Sequence, residues 1–189
     1  MSVGLRGYVP ADARPTWQVF HAAVRHTALG DYTSDQVAAW APDAPDLEAW
    51  HAARAAAWTM VAAERDVVVG FSDLVARVPV APTRAQAHSA GEGTGNGEGT
   101  GSRESYGKDD GLLDMLFVHP DHGGRGVARA LVGAVVQEAR RRGLRRVHTR
   151  ASITARPAFE RFGFVADREN PAVWVRGQRF TNYDMHLDL

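Results

Sequence analysis

The alternation of apolar and polar positions predicts a chain of mixed helices and strands. Leu5–Val9 reads as a short strand, and Trp17, Phe20 and Val24 recur after it at helical spacing. Thr33 and Gln36 have the spacing of a capping box, which opens a short helix closed by Trp40 and Pro42. Asp46 is a candidate N-cap for a further helix carrying Leu47, Trp50 and Ala57 on one side. Trp58–Ala63 and Val67–Val75 then predict two strands joined by the tight turn Glu64-Arg65-Asp66.

Val80–Gly111 breaks the pattern. Every second residue from Gly91 to Gly101 is glycine, mixed with Thr, Glu and Asn and flanked by Ser89 and Ser102. Such a stretch buries too little to offset its ordering entropy. The expectation is a mobile loop, at about residues 80–111, inserted in a single domain spanning 1–189.

Leu112–Val118 restores order as an apolar strand, followed by the loop His119–Gly124 and a helix from about Gly126 to Arg142. Val127, Leu131, Val135 and Ala139 form its apolar stripe, and Gly143 suits the position just past its end. Arg145–Arg150 predicts a strand, Thr154–Phe162 a helix stopped by Gly163, and Phe164–Ala166 another strand. At the C-terminus Tyr183, Met185, Leu187 and Leu189 alternate with polar residues, and Gly177 suits the turn before them. The expected class is α/β, of the α+β kind, with a central mixed sheet flanked by helices.

Composition narrows the function classes. The 22 basic and 22 acidic residues cancel, so no global field favours nucleic acid or an anionic membrane. Absence of cysteine removes thiolate nucleophiles, thiolate metal sites and disulfides together. No apolar run approaches membrane-spanning length and no signal-peptide pattern opens the chain, so the expected location is cytoplasmic. His119 and His122 beside Asp121 resemble metal ligands superficially, but a Pro-containing turn next to an anion site is the better reading, with no metal.

That anion site is the informative segment. Gly123, Gly124 and Gly126 leave backbone N–H groups uncovered where a strand turns into a helix, and the helix N-terminus adds partial positive charge. Arg125 supplies a full charge, with Arg129 one turn later. A Walker P-loop needs a lysine that is not there. A dinucleotide fingerprint needs a third glycine where Arg129 stands.

Gly123-Gly124-Arg125-Gly126-Val127-Ala128 resembles the Arg/Gln-x-x-Gly-x-Gly/Ala signature of the GNAT superfamily of N-acetyltransferases. Leu116-Phe117-Val118-His119-Pro120 is similar to that family's strand end with its Val-x-Pro, and Ala155–Phe164 to its later helix ending in Gly-Phe. The resemblance implies a sheet split near its middle that takes acetyl-CoA as co-substrate and a small-molecule or peptide amine as acceptor. Leu116, Phe117 and Val118 would pair with pantetheine; Gly123, Gly124, Arg125, Gly126, Val127 and Ala128 would hold pyrophosphate. Ser152 stands where the family often has a CoA-contacting asparagine. Gly123 replaces the signature's first Arg/Gln, and Phe159 replaces the tyrosine that often protonates the leaving thiolate.

Direct transfer needs a base for the ammonium, a donor to the oxyanion and an acid for the thiolate. Asp114 matches a position where the family often carries the base, and Asp73 is a second candidate. Tyr183, then Tyr32, are the candidate acids. A non-catalytic acyl-CoA binding or sensing module is the alternative, motivated by Phe159. The arginines at 140–142, 145, 146 and 150 read as a solvated surface in preference to a nucleic-acid patch, and the C-terminal strands could pair in a homodimer.

Overall fold

Among the described residues, 3–76 and 107–189, the computed structural model forms one seven-stranded sheet. In chain order the strands are β1 (Gly4–Gly7), β2 (Trp58–Glu64), β3 (Val67–Ala76), β4 (Asp110–Val118), β5 (Arg146–Ser152), β6 (Val165–Val175) and β7 (Gln178–Asp188). Their spatial order is β1-β2-β3-β4-β5-β7-β6. Among the described residues five α-helices flank them: α1 (Ala13–Thr27), α2 (Ser34–Trp40), α3 (Leu47–Ala56), α4 (Val127–Arg141) and α5 (Arg156–Arg161). Most of the glycine-rich stretch, including Gly91–Gly101, lies outside the described residues. No helix among the described residues is long and apolar enough to cross a membrane.

The local signals act as expected. Thr33 accepts the Gln36 amide while the Gln36 side chain accepts the Thr33 amide, closing the capping box of α2. Asp46 caps α3 through the Ala49 amide at 2.9 Å. In α1, Thr16, Val19, Phe20, Ala23 and Val24 are buried at i, i+3, i+4, i+7 and i+8, the stripe of a helix laid on a sheet. They meet Val61 and Phe71 on one face; Val135 and Ala139 of α4 meet Leu74, Leu113, Val147 and Met185 on the other. The result is three layers.

Only β4 and β5 run parallel, and their contact is short: Asp110–Leu113 against Arg146–Thr149. Beyond it β4 stays with β3 as far as Val118–Gly70, while β5 stays with β7 as far as Ser152–Asn182. A cleft therefore opens in the middle of the sheet. A bulge lies at the parting point, because Leu113 pairs with Leu74 and Leu116 with Ser72, leaving Asp114 and Met115 together opposite Asp73. An extra residue bends a strand and increases its twist, which turns the end of β4 away from β5.

Three boundaries differ from the sequence expectation. The first strand is Gly4–Gly7, and β4 begins at Asp110, inside the stretch taken as loop. The strand expected at Phe164–Ala166 continues as β6 to Val175 and pairs with β7 across a turn where Arg176 and Gly177 both have positive φ. Pro171 interrupts its pattern but is tolerated, because β6 is an edge strand whose register shifts between Asn170 and Val173.

Candidate active site

The bulge places two carboxylates at the base of the cleft. Asp73 is fully buried; its Oδ1 accepts the Met115 amide at 2.9 Å, and its Oδ2 lies 2.8 Å from Nε of the equally buried Arg54. The Arg54 contact is an ion pair whose N–H is not aimed at the oxygen. Arg54 also donates to the Met115 sulfur at 2.9 Å and lies 4.8 Å from the Trp50 ring centre. Asp114 lines the cleft above them. Burial pushes the Asp73 carboxyl up to about 6, against the pull of Arg54 and with a further push from Asp114. Burial raises Asp114 too, opposed by Arg54 and Arg150.

Arg54 carried one legible signal. It stands one turn beyond Trp50 on the apolar side of α3, where a charge interrupts the stripe. Its partner Asp73 is remote in sequence, so the pairing itself was not visible. On the opposite lip Arg150 lies 3.5 Å from Asp184, which also accepts from Arg168 at 2.6 Å.

At the end of β4 the glycine turn departs in part from expectation. The Gly123 amide is engaged, donating to the Pro120 carbonyl at 3.0 Å, so the available donors begin at Gly124. Gly124 and Gly126 have φ of +71° and +82°, a region L side chains rarely enter, and a Cβ at either would meet nothing within 4 Å. Gly126 is the N-cap of α4 with no side chain capping it, so the first-turn amides of Val127 and Ala128 remain among the helix's orphan donors. This backbone fits a diphosphate. The Arg125 charge, in contrast, is shared with Glu64 at 2.9 Å, and His122 meets the same carboxylate at 3.1 Å. Arg129 sits over the Phe162 ring at 5.6 Å.

Leu116, Phe117 and Val118 pair with β3 alone, so their other backbone edge faces the cleft. Ser152 lines the opposite side, its hydroxyl accepting the Ala155 amide at 3.1 Å. Phe159 lines the cleft and is also packed against Phe164, with ring centres 5.1 Å apart. The phenol lining the cleft is Tyr32, which donates to the Thr181 carbonyl at 2.8 Å and accepts the Ile153 amide at 3.0 Å. The structure does not bring Tyr183 there: it packs with the core beneath α4 and lies under the Arg156 guanidinium at 4.4 Å. The phase it shares with Met185 and Leu187 carries it to that face.

Three of the surface arginines are paired within the chain. Arg141 and Arg142 hold Glu138 at 2.7 and 2.6 Å, and Arg146 holds Asp188 at 2.7 Å.

A cavity of about 420 Å³ occupies the cleft and extends beneath α1, α2 and α3. The cavity meets the free β4 edge at Leu116 and Phe117, and the glycine turn and the N-terminus of α4 follow from the end of that strand.

Comparison with known proteins agrees with this geometry. Residues 96–187 match the model of the acetyltransferase (GNAT) domain. The chain is 30% identical over 184 residues to the uncharacterized N-acetyltransferase YafP of Escherichia coli K12, covering 97% of this chain and 95% of YafP. Its fold matches a GCN5-related N-acetyltransferase from Rhodopseudomonas palustris with a TM-score of 0.77 and 28% identity, over 100% and 97% of the two chains. It also matches yncA of Salmonella typhimurium, solved with acetyl-CoA, at a TM-score of 0.64 and 22% identity over 100% and 94%. A separated sheet, a glycine cradle and relatives aligned along the whole chain lead to one conclusion: this protein belongs to the GNAT family of N-acetyltransferases.

Proposed function

We propose that the protein transfers the acetyl group of acetyl-CoA to a primary amine by direct attack, with Asp114 as the base. The observation that carries this reading is the parting of β4 from β5 directly above Asp114. The free edge of Leu116, Phe117 and Val118 offers backbone donors and acceptors to the amides of pantetheine, as an added strand would use them. Gly124–Ala128 hold the pyrophosphate, and Ser152 and Phe159 close the slot from the other side. A thioester so held lies above Asp114, whose raised pKa suits it to accept the proton of an incoming ammonium. Asp73 and Arg54 beneath it set its electrostatic surroundings.

No side chain is assigned to protonate the thiolate. Phe159 has no proton to give, and the Tyr32 hydroxyl is engaged and pushed up in pKa by burial. A thiol with a pKa of about 8.5 departs as thiolate without full protonation and takes its proton from water. The same lack of a proton donor among the described residues favours the second reading, an acyl-CoA sensor without turnover. Thiol release separates the two. Release from acetyl-CoA accelerated by a primary amine supports the enzyme, whereas acetyl-CoA binding with no amine-dependent release across an amine panel supports the sensor.

A further inference from the structure

We infer that the acceptor is a small arylalkyl amine, one primary ammonium joined by a short linker to a flat aromatic ring. This rests on the acyl-transfer reading and assigns the acceptor for the same cavity.

Trp17, Trp40 and Trp50 come from three separate helices, α1, α2 and α3, and all three line the cavity half-buried. A half-buried indole facing an enclosed space is apolar surface lacking a partner. Their orientations are fixed by neighbours. Phe20 holds Trp50 and Phe117, at ring-centre distances of 5.2 and 5.0 Å. Phe180 holds Trp40 and Tyr32, at 6.0 and 5.4 Å. Ring contacts of this kind are directional, so the walls are stiff and suit a flat guest better than a flexible chain.

Charge sets the rest of the guest. Asp114 on the cavity floor attracts one ammonium, and the nearby indoles add attraction for a cation. Asp46 at the rim uses one carboxylate oxygen to cap α3. A polyamine would bring its further ammonium groups toward the Arg54, Arg150 and Arg176 guanidinium groups that line the same cavity. The guanidinium groups lining the cavity are engaged: Arg54 with Asp73, Arg150 with Asp184, and Arg176 with the Ala39 carbonyl at 2.7 Å. An acceptor carboxylate would have to compete for them. A peptide would need backbone partners, and the walls present rings.

The test uses the whole protein. Acetyl-CoA binding is measured by calorimetry, and thiol release is then followed with phenethylamine, tryptamine, butylamine, spermidine and a short peptide with a free N-terminus. The two aryl amines should exceed butylamine in kcat/KM by about tenfold or more, since the ring adds buried apolar area. Phenethylamine should quench tryptophan emission of the CoA-bound wild type, because three of the five tryptophans line the cavity. Trp40→Ala and Trp50→Ala should lower kcat/KM for the aryl amines by about tenfold and leave acetyl-CoA affinity within about twofold. If a variant fails to fold, the wild-type panel and quenching still decide. Turnover that prefers spermidine or the peptide, or that shows no aryl preference, overturns this inference and leaves acyl transfer standing; acetyl-CoA binding without turnover on any amine overturns both. Failure to bind acetyl-CoA overturns both.

Discussion

The Asp73 carboxylate and the Met115 amide, 2.9 Å apart and 42 residues apart in sequence, fasten the bulge that separates β4 from β5. A ladder hydrogen bond is replaced by a side-chain one, and the far end of Asp73 is held by Arg54 of α3. Helix α3, which walls the cavity, and strand β4 are thus joined through one buried carboxylate.

This arrangement has a pH signature. Folded, Asp73 keeps its proton up to about 6; unfolded, it releases it near 4. Between those values the native state binds more protons, so this group's contribution to stability falls as pH rises from about 4 through about 6. Asp73→Asn removes that contribution. Urea midpoints at pH 4 and pH 7 should show the wild type losing ground to the variant as pH rises; a difference that does not change with pH contradicts the account.

Asp114→Asn keeps the shape of the floor and removes the proposed base. Thiol release with the best amine should fall by about 10²–10⁴-fold in kcat/KM, with acetyl-CoA affinity nearly unchanged. Full retained activity would transfer the role to another group.

Glu64 draws Arg125 away from the glycine turn. Glu64→Gln frees that guanidinium, so acetyl-CoA affinity should rise about twofold to fivefold at low ionic strength, with the gain shrinking as salt shortens the screening length. Unchanged affinity at low salt would show that Arg125 contributes nothing to the cradle.

Phe159→Tyr places a phenol where the GNAT resemblance expects the tyrosine. Turnover should rise, while stability falls by about 1–2 kcal/mol because the hydroxyl enters a packed site beside Phe164. Calorimetric melting with steady-state thiol release checks both signs. A stable variant with lower turnover would show that thiolate departure does not limit the rate.

Most elements were legible because their signals are local. The Thr33–Gln36 box, the Asp46 cap and the glycines past α4 and α5 each act within a few residues, and Gly143 and Gly163 indeed have φ of +73° and +95°. The glycine turn at Gly124–Ala128 was legible for the same reason. What sequence did not supply is set by distant partners. Arg54 finds Asp73 through tertiary packing, Glu64 claims Arg125 from across the sheet, and β6 runs through Pro171 because it has only one neighbour. Tyr183 lies between the two cases, since its alternation already pointed to the core while its hydroxyl suggested chemistry.

The central claim is that the β4 edge and the turn after it bind acetyl-CoA. Calorimetric titration of the wild type and Gly126→Glu tests it most directly, since the variant sets a carboxylate and a strained φ of +82° into the proposed cradle. The account predicts micromolar binding by the wild type, about 8 kcal/mol, with binding lost in a variant that still folds. Equal affinity in both proteins, or no binding by the folded wild type, would contradict it.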